Sequence, residues 1–261
     1  MNYAEFYKQM SYRARFEWGY DGIKTHGQVS DILVIIDVLS FTTCVDVVLG
    51  QGGIVYPYRT KGDSALAFAR KQDAILAGKR GEPISLSPAS LHSIKWGSRI
   101  VLPSPNGSTC SVLAKDCGAI VLAGCLRNAK AIARFIQQHK GSVSVIACGE
   151  RWPDGSLRPA LEDLVAAGAI LSELSNYDLS PEAEAAVATF SASQYKLESL
   201  LEHSVSGQEL IVRGYPDDVH LAAMLNVSQN LPLLNHHMLL KTRLLTDDRS
   251  TGKLHKVSCF W

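Results

Sequence analysis

Five consecutive apolar residues, Ile32-Leu33-Val34-Ile35-Ile36, end at Asp37, and the chain continues Val38-Leu39-Ser40-Phe41-Thr42-Thr43-Cys44. Four of the five are β-branched, the composition of a strand buried on both faces. Such a strand needs a helical layer on each side, so the run alone narrows the fold. A carboxylate at the carboxyl end of that strand, then a hydroxyl-rich turn into an apolar helix, is how open α/β sheets build sites for small charged molecules. An aspartate there also serves as a plain helix cap, and the rest of the chain must decide between the two.

The alternation continues along the chain. Strands are expected at 32–36, 53–58, 99–103, 119–123, 143–148 and 209–213. Helices are expected at 42–50, 63–77, 108–117, 127–139, 160–175, 180–191, 194–203 and 217–229. This predicts an α/β fold with a mixed or mostly parallel sheet and helices on both faces. No Gly/Ser linker or charge block divides residues 1–261, which are read as a single domain. One echo stands out. Thr43-Cys44, Val47-Val48-Leu49 and Gly53-Ile54-Val55 resemble Thr109-Cys110, Val112-Leu113 and Gly118-Ala119-Ile120-Val121. Internal duplication is one reading; reuse of a common α/β unit is the other.

Charge excludes some classes. With 26 basic and 25 acidic side chains, the chain has no global footprint for nucleic acid or an anionic membrane. No apolar stretch is long enough to span a bilayer, and the amino-terminal segment lacks a signal-peptide core. A cytoplasmic location is expected, and the six cysteines, with no C-x-x-C or zinc spacing, suit it. No cysteine is followed six positions later by arginine, so thiolate phosphatase chemistry is not expected. His236-His237 lies in an apolar stretch and is read as structural.

Several segments carry candidate chemistry. In Ile100-Val101-Leu102-Pro103-Ser104-Pro105-Asn106-Gly107-Ser108-Thr109 a strand enters a Pro/Asn/Gly turn and a helix begins near Ser108. Asn-Gly permits positive backbone dihedrals that would converge N–H groups into an anion cradle. In Val143 to Arg151 another strand ends, and Glu162 and Asp163 follow in the first turn of a helix. One of that pair would face a site while the other caps or faces solvent. Leu76-Ala77-Gly78-Lys79-Arg80-Gly81-Glu82 reads as a helix end with a basic, solvated cap, and Asp217-Asp218 as acids that cap a following helix. Several carboxylates without a histidine or cysteine pattern point to a hard, oxygen-ligated cation, magnesium before others.

At this point the ordered set becomes specific. Ile36-Asp37-Val38-Leu39 with Thr42-Thr43, Gly81-Glu82, Leu86-Ser87-Pro88, Asn106-Gly107-Ser108-Thr109, Ala147-Cys148-Gly149, Ser156-Leu157, Leu161-Glu162-Asp163 with Ala167-Gly168, and Asp218-Val219 resemble the 2-phosphosulfolactate phosphatase family, from about residue 30 to about 235. The resemblance implies an α/β fold and an Mg²⁺-dependent acid phosphatase of coenzyme M biosynthesis, converting 2-phospho-3-sulfolactate to 3-sulfolactate and phosphate. Three departures from the family pattern are plain. Ser40-Phe41 stands where the family has Arg-Ala, Ser206 where it has histidine, and Asn226 where it has aspartate.

Read this way, Asp37, Glu162 and Asp163 are the candidate catalytic residues, and Asp37, Glu82, Glu162 and Asp163 the candidate Mg²⁺ ligands. Thr42, Thr43, Asn106, Gly107, Ser108 and Thr109 are the candidate phosphate contacts. Asp37 is expected to be a metal ligand or general base and not a covalent nucleophile, because residue 39 is leucine and the Asp-x-Asp signature fails. The expected partner is a small anionic phosphorylated substrate, with no nucleic acid and no membrane; a homo-oligomer is left open. Two other readings stand beside it: a catalytically lapsed protein that binds an anionic metabolite, and a phosphatase for another phosphorylated carboxylate.

Overall fold

The structure, a computed structural model, describes residues 3–242. After a 3-10 turn at Tyr3–Lys8 the strands are β1 (Ala14–Trp18), β2 (Ile32–Ile36), β3 (Ile54–Tyr58), β4 (Ile75–Leu76), β5 (Arg99–Pro103), β6 (Ile120–Gly124), β7 (Val143–Ala147), β8 (Glu150–Arg151), β9 (Leu157–Arg158), β10 (Leu231–Asn235) and β11 (Met238–Thr242). The helices are α1 (Gly19–His26), α2 (Phe41–Gly50), α3 (Asp63–Lys71), α4 (Gly107–Ala114), α5 (Ala129–His139), α6 (Leu161–Leu171), α7 (Pro181–Ser193), α8 (Leu197–His203), α9 (Val205–Val212) and α10 (Pro216–Ala223).

Nine strands form one sheet in the order β1-β7-β2-β6-β10-β11-β3-β5-β4, and β8 and β9 form a separate hairpin. Strand β2 behaves as its composition requires. All five residues are fully buried, each contributing about 1.5–3 kcal/mol of hydrophobic stabilisation. Ile32, Val34 and Ile36 pack with α5, α6 and α7, whereas Leu33 and Ile35 pack with α1 and α4. The period of two therefore sorts the strand onto two helical layers. The other half repeats the scheme: Val55 of β3 packs with α2, and Tyr56 with α3.

The sheet is mixed in a particular way. Strands β1, β7, β2 and β6 run parallel, as do β3, β5 and β4. The hairpin β10–β11 joins the two groups through antiparallel pairings, so they run in opposite directions. Two units cross between the groups in opposite senses: β2-α2-β3 leaves the first for the second, and β5-α4-β6 returns. These units contain the repeated sequence pattern.

Some expectations are corrected. Residues 209–213 lie in or just past helix α9, because Ser204 caps Gly207 N at 3.1 Å and launches a helix. The helix expected over 63–77 stops at Lys71, and Ile75–Leu76 pairs with β5 as an edge strand. His236 and His237 are exposed at the β10–β11 turn, where His236 has φ +53°; short polar turn chemistry, not core packing, places them. No helix ends beside Lys79 and Arg80, and Arg80 is half-buried on an ion pair with Asp218. Among the described residues no helix is long and apolar enough to cross a membrane.

Candidate active site

The turn after β2 is built around Asp37. Its own backbone is locked first: Thr42 Oγ1 donates to Asp37 O at 2.8 Å, and Thr43 Oγ1 to Val38 O at 2.7 Å. The side chain then caps α2, with Oδ1 accepting from Phe41 N at 3.3 Å. Its second oxygen reaches out of the unit. Oδ2 accepts from Gly107 N at 2.7 Å and from Ser104 Oγ at 3.3 Å.

Those donors belong to the turn after β5, five ladder steps from β2 in the sheet order. A flat sheet would hold the two strands about 24 Å apart, so contact at 2.7 Å requires strong coiling, to which strand twist of about 20–25° per step contributes. The two strand ends do not share one edge of a parallel sheet; coiling of two opposed half-sheets brings them together. Within the second turn Ser108 Oγ donates to Leu102 O at 2.6 Å and Thr109 Oγ1 to Ser104 O at 3.4 Å. Asn106 sits at φ −98°, and Gly107 is not among the residues with positive φ. Glycine is required here for approach rather than dihedral freedom, since a Cβ would lie 2.6 Å from Asp37 Oδ2 and 2.4 Å from Phe41 Cδ1.

A third contribution comes from the exit of β7 and the start of α6. One of Asp163 and Glu162 was expected to face a site while the other capped the helix or faced solvent; both are buried instead, because packing against the two strand exits takes both inward. Asp163 Oδ1 accepts from Val38 N at 2.8 Å and Oδ2 from Gly149 N at 2.9 Å, which ties the ends of β2 and β7 together. Among the described residues the Glu162 carboxylate has no hydrogen-bond partner, and its charge is felt by Asp37, Glu150 and Asp163. Glu150, on the hairpin β8–β9, accepts from Asn106 Nδ2 at 2.8 Å.

Four acids thus share one region in which the nearest hydrogen-bond donors are mostly neutral. Burial, with Glu162 nearby, pushes the Asp37 carboxyl up to about 6 despite the N–H groups of Phe41 and Gly107. Burial, then the charges of Asp37 and Glu162, pushes Glu150 up to about 7, against the Asn106 hydrogen bond and the Arg158 charge. Asp163 is raised well above the carboxylate range by burial and the same two neighbours. The region therefore favours protons or a cation.

The expected site residues divide clearly. Asp37, Glu162 and Asp163 come together with Asn106 and Gly107. Thr42, Thr43, Ser108 and Thr109 line the same turns, yet their hydroxyls are engaged by backbone carbonyls. Glu82 is exposed, and Oε1 accepts from Lys79 N at 2.9 Å within its own turn. Glu150 was passed over, although Ala147-Cys148-Gly149-Glu150 repeats the strand-then-acid pattern of β2 and Asp37. Two arginines were passed over as well. Arg80 ion-pairs with Asp218 and donates to Ser40 Oγ at 3.1 Å, while Arg158 donates to Ser206 Oγ at 3.2 Å. Guanidinium groups from elsewhere in the chain therefore rest on both serines that depart from the family pattern. Nothing local signals such long-range pairing. Asn226, the third departure, takes φ +57° and accepts from Lys130 N at 2.8 Å.

The fit to a divalent cation can be tested on these residues. Among the described residues no group of three or more His, Cys, Asp or Glu side chains is arranged to hold a metal. Magnesium, however, takes one or two carboxylates, with water and substrate phosphate completing its shell. Asp37 and Glu162 satisfy that smaller requirement. Asp163 is less suited, since backbone N–H groups hold its two oxygens at 2.8 and 2.9 Å whereas Asp37 Oδ1 accepts only a long bond at 3.3 Å, and Glu82 is exposed in a turn of its own.

Comparison with known proteins gives the family. Residues 20–237 match the family described as 2-phosphosulpholactate phosphatase. A probable 2-phosphosulfolactate phosphatase of Carboxydothermus hydrogenoformans is 30% identical over 209 residues, covering 77% of this chain and 84% of that one. One from Trichormus variabilis, also named as probable, is 26% identical over 83% of this chain and 94% of its own. The 2-phosphosulfolactate phosphatase of Methanothermobacter thermautotrophicus is 25% identical, over 78% and 87% respectively. On the extent of that match, the chain belongs to the 2-phosphosulfolactate phosphatase family, whose name is that of a phosphoric monoester hydrolase.

Proposed function

We propose that this chain hydrolyses 2-phospho-3-sulfolactate to 3-sulfolactate and phosphate, with Mg²⁺, as a cytoplasmic step of coenzyme M biosynthesis. The observation that carries the reading is the meeting of the two turns at Asp37, with Glu162 and Glu150 beside it. The cytoplasmic setting is supported by five free cysteines among the described residues, four of them buried.

Hydrolysis of phosphate monoesters is among the slowest uncatalysed reactions, so positioning and stabilisation of charge must dominate. Mg²⁺ held by Asp37 and Glu162 would neutralise charge on the phosphoryl oxygens. The first turn of α4 presents the N–H groups of Ser108 and Thr109, which have no helical acceptor, to the same oxygens. Asp37, oriented by Gly107 N and Phe41 N, aligns the attacking water. Glu150, fixed through Oε2 by Asn106, carries a proton on Oε1 for the departing alkoxide. Burial of the acids excludes bulk water and strengthens each of these interactions.

The test is phosphate release from racemic 2-phosphosulfolactate with Mg²⁺ and with EDTA, beside Asp37→Asn. Release that needs the metal and is lost in the variant supports the reading. Full activity of Asp37→Asn, or no release from folded protein, removes it.

A further inference from the structure

We infer that Arg158 selects the substrate by binding its second, non-reacting anion, so that the site prefers phosphate esters bearing a carboxylate or sulfonate over esters with a neutral tail. The inference rests on the phosphatase reading of the same site.

Arg158 is the cross-strand partner of Glu150 in the hairpin β8–β9. Paired residues project from the same face, and Glu150 reaches Asn106 at 2.8 Å on the loop that holds Asp37. Arg158 therefore stands next to the reacting centre, and its charge is felt by Glu150. Its head is held in place from two sides. Nη2 donates to Ser206 Oγ at 3.2 Å, and the guanidinium lies 5.9 Å from the centre of the Trp152 ring.

What it lacks is an anion. Arg80 is neutralised by Asp218, which also accepts from Ser87 Oγ at 2.6 Å and Ala89 N at 3.1 Å. Among the described residues Arg158 makes no such ion pair and donates only to Ser206, which leaves four of its five N–H donors for a ligand. Its position is also electrostatically odd. Ser206 lies in the first turn of α9, where the helix dipole disfavours a cation. An anion between the guanidinium and the free N–H groups of that turn would reverse the sign of the interaction. A carboxylate or sulfonate suits the planar fork of donors.

The experiment compares kcat/KM for 2-phosphosulfolactate and 2-phospholactate with that for glycerol 2-phosphate, which has a neutral tail. In Arg158→Met the ratio of acidic to neutral ester should fall about 10- to 100-fold, as expected for loss of a charge-assisted hydrogen bond, mainly through KM. Arg158→Lys should keep part of the ratio, and Ser206→Ala should lower it about two- to fivefold. An unchanged ratio, or equal loss on all esters, overturns the inference. Should Arg158→Met not fold, the ratios in Arg158→Lys and Ser206→Ala decide. If the wild type cleaves no ester, the phosphatase reading fails by itself. Calorimetric titration with 3-sulfolactate then decides: binding weakened tenfold or more by the Arg158 variants upholds the anion site, and equal or absent binding overturns it.

Discussion

The turn after β2 and the turn after β5 use the same local construction for different ends. Each follows a buried strand, opens a short helix and consumes a pair of hydroxyls on carbonyls five or six residues back: Thr42 and Thr43 in one, Ser108 and Thr109 in the other. They differ in what is left over. The first turn supplies a carboxylate and uses it partly to cap its own helix. The second supplies N–H groups, with Gly107 at its centre. One turn is the acceptor and the other the donor, and the site exists only where they touch. Hydroxyl-rich turns thus read alike in sequence while the contact between them is made by Asp37 of one and Gly107 of the other, neither of which bears a hydroxyl.

The comparison is broken most severely by removing the acceptor. Asp37→Asn should lower turnover by about 10³-fold or more, roughly 4 kcal/mol of transition-state stabilisation, and weaken Mg²⁺ binding measured by titration. Retention of metal affinity would separate the acid's catalytic role from its ligand role.

Crowding the donor turn comes next. Gly107→Ala places a methyl 2.6 Å from Asp37 Oδ2, and overpacking of this kind costs about 1–3 kcal/mol. Its melting temperature should drop by several degrees, with activity down about 10²-fold. A variant as active as the wild type would show that the two turns need not meet.

A third test sets the acids against pH. In the metal-free protein Glu150 is raised from 4.5 to about 7, so between these values the native state binds more protons than the unfolded one. Its contribution to stability is therefore present below about pH 4.5 and lost as pH rises through about 7. His26, lowered to about 4 by burial and Arg15, acts with the opposite sign over pH 4 to 6.5, so a difference between variants is needed. Relative to wild type, Glu150→Gln should gain about 5 °C in melting temperature between pH 5 and pH 8. A difference independent of pH would remove Glu150 from the coupled set.

The smallest effects sharpen the likeness between the turns. Thr43→Val and Ser108→Ala should each cost about 0.5–1.5 kcal/mol, seen in denaturant unfolding, with KM changed less than about threefold. A tenfold rise in KM for either would return that hydroxyl to the substrate.

Much of this was legible in the chain. The period and composition of 32–36, 99–103 and 143–148 placed three strands and two helical layers, because burial on both faces leaves an apolar record in every residue. The acids at 37, 162 and 163 were legible for the opposite reason: carboxylates at strand exits and helix starts are costly to bury without a use. Glu82 and the four hydroxyls are engaged within their own turns, because a turn's polar groups serve its backbone before any ligand. Residues 209–213 looked like a strand because Leu210, Ile211 and Val212 form an apolar run too short to show a helical period.

The sequence by itself determined the class of fold, the family and the identity of the acids, since these depend on local pattern and residue chemistry. Tertiary structure alone decided that the halves of the sheet run in opposite directions and coil until Gly107 reaches Asp37. It also decided that Glu150 joins the acids, and that Arg80 and Arg158 come to rest on Ser40 and Ser206. Those contacts span 40 to 70 residues of chain, and no local preference encodes which distant partner a side chain will meet.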